Sequence, residues 1–212
     1  MKERNMRKAR KTLYIHGQDI YVLGMMMALI SFLGFVVENL WLAITKGYIN
    51  NRNMNAPFLL GYGMLVLVIY FLFGTPEKMN LPKNLRGRYG KSKNYVMYFL
   101  CAMLFVCVGE IILGVAVERL CGIEYWNYSA IPLHITKYTS IPTSVAFSLL
   151  ITLFMGRCFE PMLNFISRMD YKLMKVLSII LMVIMLSDYI VSFAMMIKKK
   201  DFYLRWKILL RR

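Results

Sequence analysis

The sequence predicts an all-α integral membrane protein of about five transmembrane helices, and three observations carry that expectation. Apolar residues make up 58% of the 212 residues and are gathered into blocks of membrane-spanning length. The basic residues behind the net charge of +16 collect between and beside those blocks. Several carboxylates nevertheless fall inside them, where an acid is costly unless it faces protein, water or a cation.

The basic run Met1–Lys11 leads into a first apolar stretch, about Ile20–Ile44. That stretch is too long for a cleaved signal and shows no small-x-small cleavage site before the polar loop, so it is expected to persist as an anchor behind a cytoplasmic basic arm, residues 1–19. Further spans follow at about Pro57–Phe73, Tyr95–Leu120, Ser140–Met155 and Leu173–Ile197, completing a transmembrane domain over residues 20–197. The second and fourth are short, and Pro57, Gly61, Gly63, Pro132 and Pro142 predict irregular or partly re-entrant entries. Residues 198–212 form a basic tail that Phe202, Leu204, Trp206 and Leu209 make amphipathic.

Lysine and arginine set the expected orientation. Six lie in the N-terminal arm, six between Gly74 and Asn94, and four between Gly156 and Lys175, whereas the loops around Arg52 and Lys137 are poor in them. The N-terminus is therefore expected in the cytosol of a multi-pass plasma-membrane protein. The tail conflicts with this rule. A fifth crossing carries Lys198, Lys199, Lys200, Arg205, Lys207, Arg211 and Arg212 outside, so either the last span disobeys the bias or the tail stays on the inner surface.

Setting Gly34-Phe-Val-Val-Glu38 against Gly114-Val-Ala-Val-Glu118 reveals an internal Gly-x-x-Val-Glu repeat. Each copy is followed by a polar, aromatic-bearing loop and a short span. The chain thus reads as two parallel helix-loop-helix repeats, about 20–74 and 95–156, plus a fifth helix about 173–197. Glu38 and Glu118 fall near a shared axis toward the external side, and Glu110 has no counterpart at Ile30.

The candidate pathway residues follow from depth. Glu38, with Asn39 beside it, lies within the first span, and a structural hydrogen bond to Tyr62 or a loop amide is the alternative to a functional site. Glu110 is nearer the middle of the third span, and Glu118 stands roughly 12 Å further along the same helix, where pairing with Arg119 is its structural alternative. Arg52 in the first loop and Trp126, Asn127 and Tyr128 in the second line a mouth above the acids, although aromatic residues at this depth also serve the interfacial belt. Asp188 and Ser192 form a polar stripe on the fifth span that fits packing as well as a substrate path.

Other chemistry is absent from the pattern. Cys101, Cys107, Cys121 and Cys158 have no metal-ligand spacing, and Cys121 and Cys158 fall at opposite faces of the bilayer. His16 and His134 have no ligand partners at useful spacing, so neither a metal nor another cofactor is expected. No GxxxxGK[ST] phosphate loop occurs, so any ATP hydrolysis belongs to a separate subunit. No GxSxG, HExxH or CxxC occurs either. Anionic lipid headgroups are nearer partners for the basic loops than nucleic acid, which is not expected to bind.

Gly34-Phe-Val-Val-Glu38, Asn51-Arg52, Pro57-Phe58 with Tyr62-Gly63, Glu110 followed by Gly114 and Glu118, and Trp126-Asn-Tyr-Ser129 together resemble the bacterial CmpB-like family of ABC-transporter type IV proteins, over about Ile30–Met155. The resemblance departs at Asn53 and Ala56, where members often carry glycine, and at Asn127, where they often carry aspartate. It implies a permease-like membrane protein. A small transporter or transporter subunit is thus the leading expectation, working with membrane lipids, a separate ATPase subunit and further copies of itself. The alternatives are a membrane enzyme acting on a lipid or lipid-linked substrate through an intramembrane glutamate, and a non-transporting assembly or sensor subunit. The residues favour the first over catalysis.

Overall fold

The structure is a computed structural model and describes residues 13–15, 17–79 and 91–210. The basic run Met1–Lys11, His16 and the lysines and arginines between residues 80 and 90 lie outside the described residues. Among those described, six α-helices account for nearly all regular structure: α1 (Ile20–Lys46), α2 (Leu60–Phe73), α3 (Lys91–Cys121), α4 (Ile141–Arg157), α5 (Phe159–Ser167) and α6 (Tyr171–Lys199).

Their ends follow local chemistry. Asp19, closing a small hairpin of β1 (Tyr14–Ile15) and β2 (Gln18–Asp19), caps α1 by accepting the Tyr21 amide at 2.9 Å. Ser140 caps α4, with Pro142 in the first turn where its missing N–H costs nothing. Asp170 caps α6 through the Leu173 amide.

Four helical segments, Ile20–Lys46, Leu60–Lys78, Ser92–Cys121 and Tyr171–Lys199, are long and apolar enough to span a bilayer, and the pair α4–α5, bent by 46°, is a fifth candidate when taken as one broken span. The five expected spans are therefore all helical. The segment after the fourth span, expected only as a basic connection, is the helix α5. It seats Phe159, Leu163 and Ile166 in the main core beside Val22, Ile69, Tyr98 and Met174.

The outer surface is far more apolar than that of a soluble bundle, and hydroxyl groups share the interior with the apolar core. Ile44 (76%), Ile112 (64%) and Ile190 (65%) are exposed, while Ser31, Ser144, Ser148, Ser178 and Ser192 are all buried. A shell this apolar suits hydrocarbon, where helices are joined by small and hydroxylated residues rather than by a hydrophobic driving force.

The conflict over the tail is decided by strand pairing. Strand β6 (Lys207–Leu209) pairs antiparallel with β3 (Tyr48–Asn50), directly after α1, and Lys200 Nζ donates to the Leu120 carbonyl at the end of α3. The fifth span therefore crosses fully, and the tail covers the end of the bundle that carries the two long loops. A third two-stranded ribbon, β4 (His134–Thr136) with β5 (Thr139–Ser140), shapes the second loop at that same end. All four cysteines are free thiols.

Candidate functional site

Gly34 and Glu38 lie one helical turn apart on α1, which puts them on one face. A Cβ on Gly34 meets Tyr62 Cγ at 2.5 Å, so glycine there is what allows the Tyr62 ring to lie flat against α1. The ring's hydroxyl then donates to Glu38 Oε1 at 2.6 Å, and Arg52 Nη2 pairs with Glu38 Oε2 at 2.8 Å. The Glu38 and Arg52 side chains are each 22% exposed, so the pair is largely withdrawn from water.

The same device recurs on α3. Gly114 leaves room for the ring of Tyr138, the Tyr138 hydroxyl donates to Glu118, and Lys137 Nζ pairs with Glu118 Oε1 at 2.5 Å. Glu118 thus finds its cation in the second loop rather than in its neighbour Arg119. Lys137 also pairs with Glu124 at 2.9 Å, and this cluster is the more open of the two. Hydrogen bonding to Glu118 and then to Glu124 raises the Lys137 amine well above its ordinary range, while Lys137 and then Asn127 hold the Glu124 carboxyl below its own.

Glu110 differs in having no cation partner among the described residues. Thr139 Oγ1 donates to its Oε2 at 2.6 Å, with Ser144 Oγ at 3.5 Å from the same atom. Ser144 begins a stripe on α4, in which Ser148 and Thr152 each bond the carbonyl four residues earlier, so the wall facing α3 is hydroxylated down to the level of Thr152. At 1.5 Å per residue, Glu110 sits roughly 16 Å, Glu38 roughly 12 Å and Glu118 roughly 4 Å inside the carboxyl ends of their helices.

The Tyr128 hydroxyl lies within electrostatic range of Glu110 and Glu38. Burial first, then the negative charges of Glu110 and Glu38, raise its hydroxyl well above the usual phenol range, with Arg52 opposing. One tyrosine in the second loop therefore feels Glu110, Glu38 and Arg52 together.

The remaining candidates are mainly architectural. Asn39 accepts the Asn50 amide at 2.8 Å and pins the first loop onto α1. Trp126 Nε1 donates to the Tyr138 carbonyl at 2.8 Å, and Asn127 bridges Glu124 Oε2 and the Ser129 amide. Asp188 is buried and accepts from the Asn55 and Ala56 amides, Asn55 Nδ2 and Ser192 Oγ, all within 3.0 Å. Such complete pairing by neutral donors marks a structural anchor between α6 and the first loop. Three contributors escaped the sequence reading: Lys137, Tyr138 and Thr139, consecutive residues just before α4. The Ser144, Ser148, Thr152 spacing of four was a legible sign of the polar wall.

Among the described residues, no group of three His, Cys, Asp or Glu side chains is placed to hold a metal ion. At the opposite end of the bundle, an open polar cavity of about 290 Å³ is lined by Gln18, Tyr70, Thr75, Lys78, Glu160 and Asn164. Lys78 and Glu160 pair across it at 2.7 Å.

Residues 25–193 match the family model described as Putative ABC-transporter type IV. The chain belongs to this family. The match takes in both long loops and nearly all of α6, beyond the Ile30–Met155 span of the motifs that carry the resemblance. No curated protein and no solved structure matches the chain. As a member of the ABC-transporter type IV family the chain carries its first-loop arginine in a strained turn, for Arg52 and Asn53 are both left-handed, at φ 49° and 62°. Asparagine tolerates that region better than most side chains. The aspartate frequent at position 127 is replaced by Asn127, which donates to Glu124, so the negative charge of the second loop resides on Glu124.

Proposed function

We propose that the chain is a small plasma-membrane transporter or transporter subunit, with a cytoplasmic N-terminus, whose substrate or coupling ion passes the polar interior formed by Glu38, Glu110, Arg52, Tyr62 and Tyr128. The observation that carries this reading is Glu110. It is a carboxylate well inside a membrane-spanning helix, paired only with hydroxyl donors, beside a second carboxylate already neutralised by Arg52. A purely structural acid in hydrocarbon is expected to resemble Asp188, with every lone pair met by fixed donors. Glu110 retains capacity for a proton or cation, and the hydroxyl wall of α4 extends that capacity along the span.

The recurrence of Gly, Tyr, Glu and a loop cation on α1 and α3 supports two parallel repeats, residues 20–74 and 95–156, with α6 as a fifth helix. The polar cavity at the amino-terminal end supports an opening on the other side, and that end is where a separate ATP-hydrolysing subunit would dock. Homo-oligomer formation belongs to the same proposal.

Gentle purification with native mass spectrometry identifies any retained small molecule or ATPase partner. Flux of that species into reconstituted vesicles is then compared for wild type, Glu110→Gln and Glu38→Gln. Each variant is expected to lower flux by about 10-fold or more while remaining monodisperse. Wild-type flux in both rules out the interior acids as the pathway.

A further inference from the structure

The tail offers a surface that the transport reading does not use. From Tyr203 to Leu210 it runs extended along the first loop. The Tyr203 carbonyl accepts from Asn51 Nδ2, the Arg205 amide donates to Asn51 Oδ1, the Trp206 carbonyl accepts the Asn51 amide and the Leu210 amide donates to the Gly47 carbonyl. An extended chain alternates its side chains between two faces. Of the odd-numbered ones, Tyr203 and Arg205 bond Asn55 and Lys207 lies 4.0 Å from the Tyr48 ring centroid, while Leu209 at the end of the strand is exposed. The even-numbered ones are apolar and point away, with Leu204 (52%), Trp206 (40%), Ile208 (52%) and Leu210 (41%) exposed. Ile49, opposite Ile208 in the ribbon, extends this face onto β3.

Two observations say what covers it. First, the face is continuous with surface already assigned to lipid, because Leu210 is bonded to Gly47 and exposed Leu40, Trp41 and Ile44 occupy the last turns of α1 just before it. Second, Lys198, Lys199 and Lys200 end α6 just before the tail and Arg205 and Lys207 lie along it, and none of the five forms an ion pair with a carboxylate among the described residues. An apolar stripe with a tryptophan, edged by cations and placed where spanning helices end, has the chemistry of the bilayer interface.

We propose that the even-numbered face of the β3–β6 ribbon is seated in the headgroup layer of a bilayer containing anionic lipid, where it holds the first loop, and with it Arg52, at a fixed depth. The full chain tests this in vesicles, with Trp206→Phe as the reference, so that the difference in emission between the two proteins reports Trp206 while Trp41 and Trp126 stay in place. Lipids brominated high on the acyl chain are expected to quench that difference and aqueous acrylamide to leave it unchanged. Vesicles containing phosphatidylglycerol should give about twice the quenching seen with phosphatidylcholine alone. A Trp206 signal open to acrylamide and indifferent to brominated lipid overturns the seating of the ribbon. Equal quenching in the two membranes overturns the requirement for anionic lipid. Because no transport is measured, failure here leaves the role of Glu110 untouched.

Discussion

The Tyr62 hydroxyl reaches Glu38 at 2.6 Å only because its ring occupies the volume that Gly34 leaves empty on α1. Restoring a methyl group there forces the ring away, and the backbone of two packed helices limits how far it can move. Gly34→Ala is therefore expected to destabilise the protein by about 1–3 kcal/mol, the usual cost of overpacking. Gly114→Ala, facing Tyr138, should behave alike. Gly61→Ala, where a Cβ meets nothing within 4 Å, is the control. Thermal unfolding in detergent reads all three, and a Gly34→Ala protein as stable as the control contradicts the packing argument.

The Lys137 cluster predicts a pH dependence whose sign can be worked out. Glu124 is held below its ordinary value of 4.5, so its stabilisation is complete above that value and is lost as pH falls through the lowered folded one. Lys137 is raised above 10.5, so its contribution is complete below that value and is lost only as pH rises through the raised folded one. The stability advantage of wild type over Lys137→Gln should be flat at neutral pH and shrink on acidification below about pH 4.5. Melting temperatures of both proteins across that range check it, and an advantage that grows in acid refutes the assignment.

The spans were legible because apolar runs of bilayer length have few alternative readings, and the membrane depth of Glu38, Glu110 and Asp188 came with them. Helix α5 was not legible in the same way. Its Phe159, Leu163 and Ile166 are interleaved with Glu160, Asn164 and Arg168, so composition alone reads as a charged connection, although the spacing of four and three marks a helical face. Tyr62 was legible as a partner of Glu38, whereas the partners of Glu118 and Glu110 were the least visible. Lys137, Tyr138 and Thr139 reach Glu118 and Glu110 across 19 to 29 residues, through a loop path that no local periodicity encodes. Depth alone also leaves the partners of Asn39 and Asp188 unnamed, since their bonds to the Asn50 and Asn55 amides are set by tertiary contact.

Asn53 carries a backbone that resists side chains branched at Cβ. With φ at 62°, Asn53→Gly is expected to leave stability nearly unchanged, and Asn53→Val to cost about 1–2 kcal/mol from the left-handed conformation alone. Both variants lose the polar amide and only valine is branched at Cβ, so the comparison separates backbone strain from loss of the side chain. Chemical or thermal denaturation of the pair is the measurement, and equal losses in both would assign the effect to the lost amide instead.

Asp188 fastens the first loop to α6 through the Asn55 and Ala56 amides and the Asn55 side chain, and Asn55 in turn holds Tyr203 and Arg205 of the tail. Removing the carboxylate leaves two loop amides without an acceptor in a partly buried setting. Each such orphan costs about 1–3 kcal/mol. Asp188→Ala should therefore loosen residues 50–56 and the tail together, while the Glu160 end of the bundle stays unchanged. Asp188→Asn keeps one carbonyl acceptor and should fall between wild type and alanine. Hydrogen exchange with peptide resolution distinguishes the outcomes, since a structural anchor predicts faster exchange in both segments. A pathway role without anchoring predicts protection equal to wild type and a loss confined to flux.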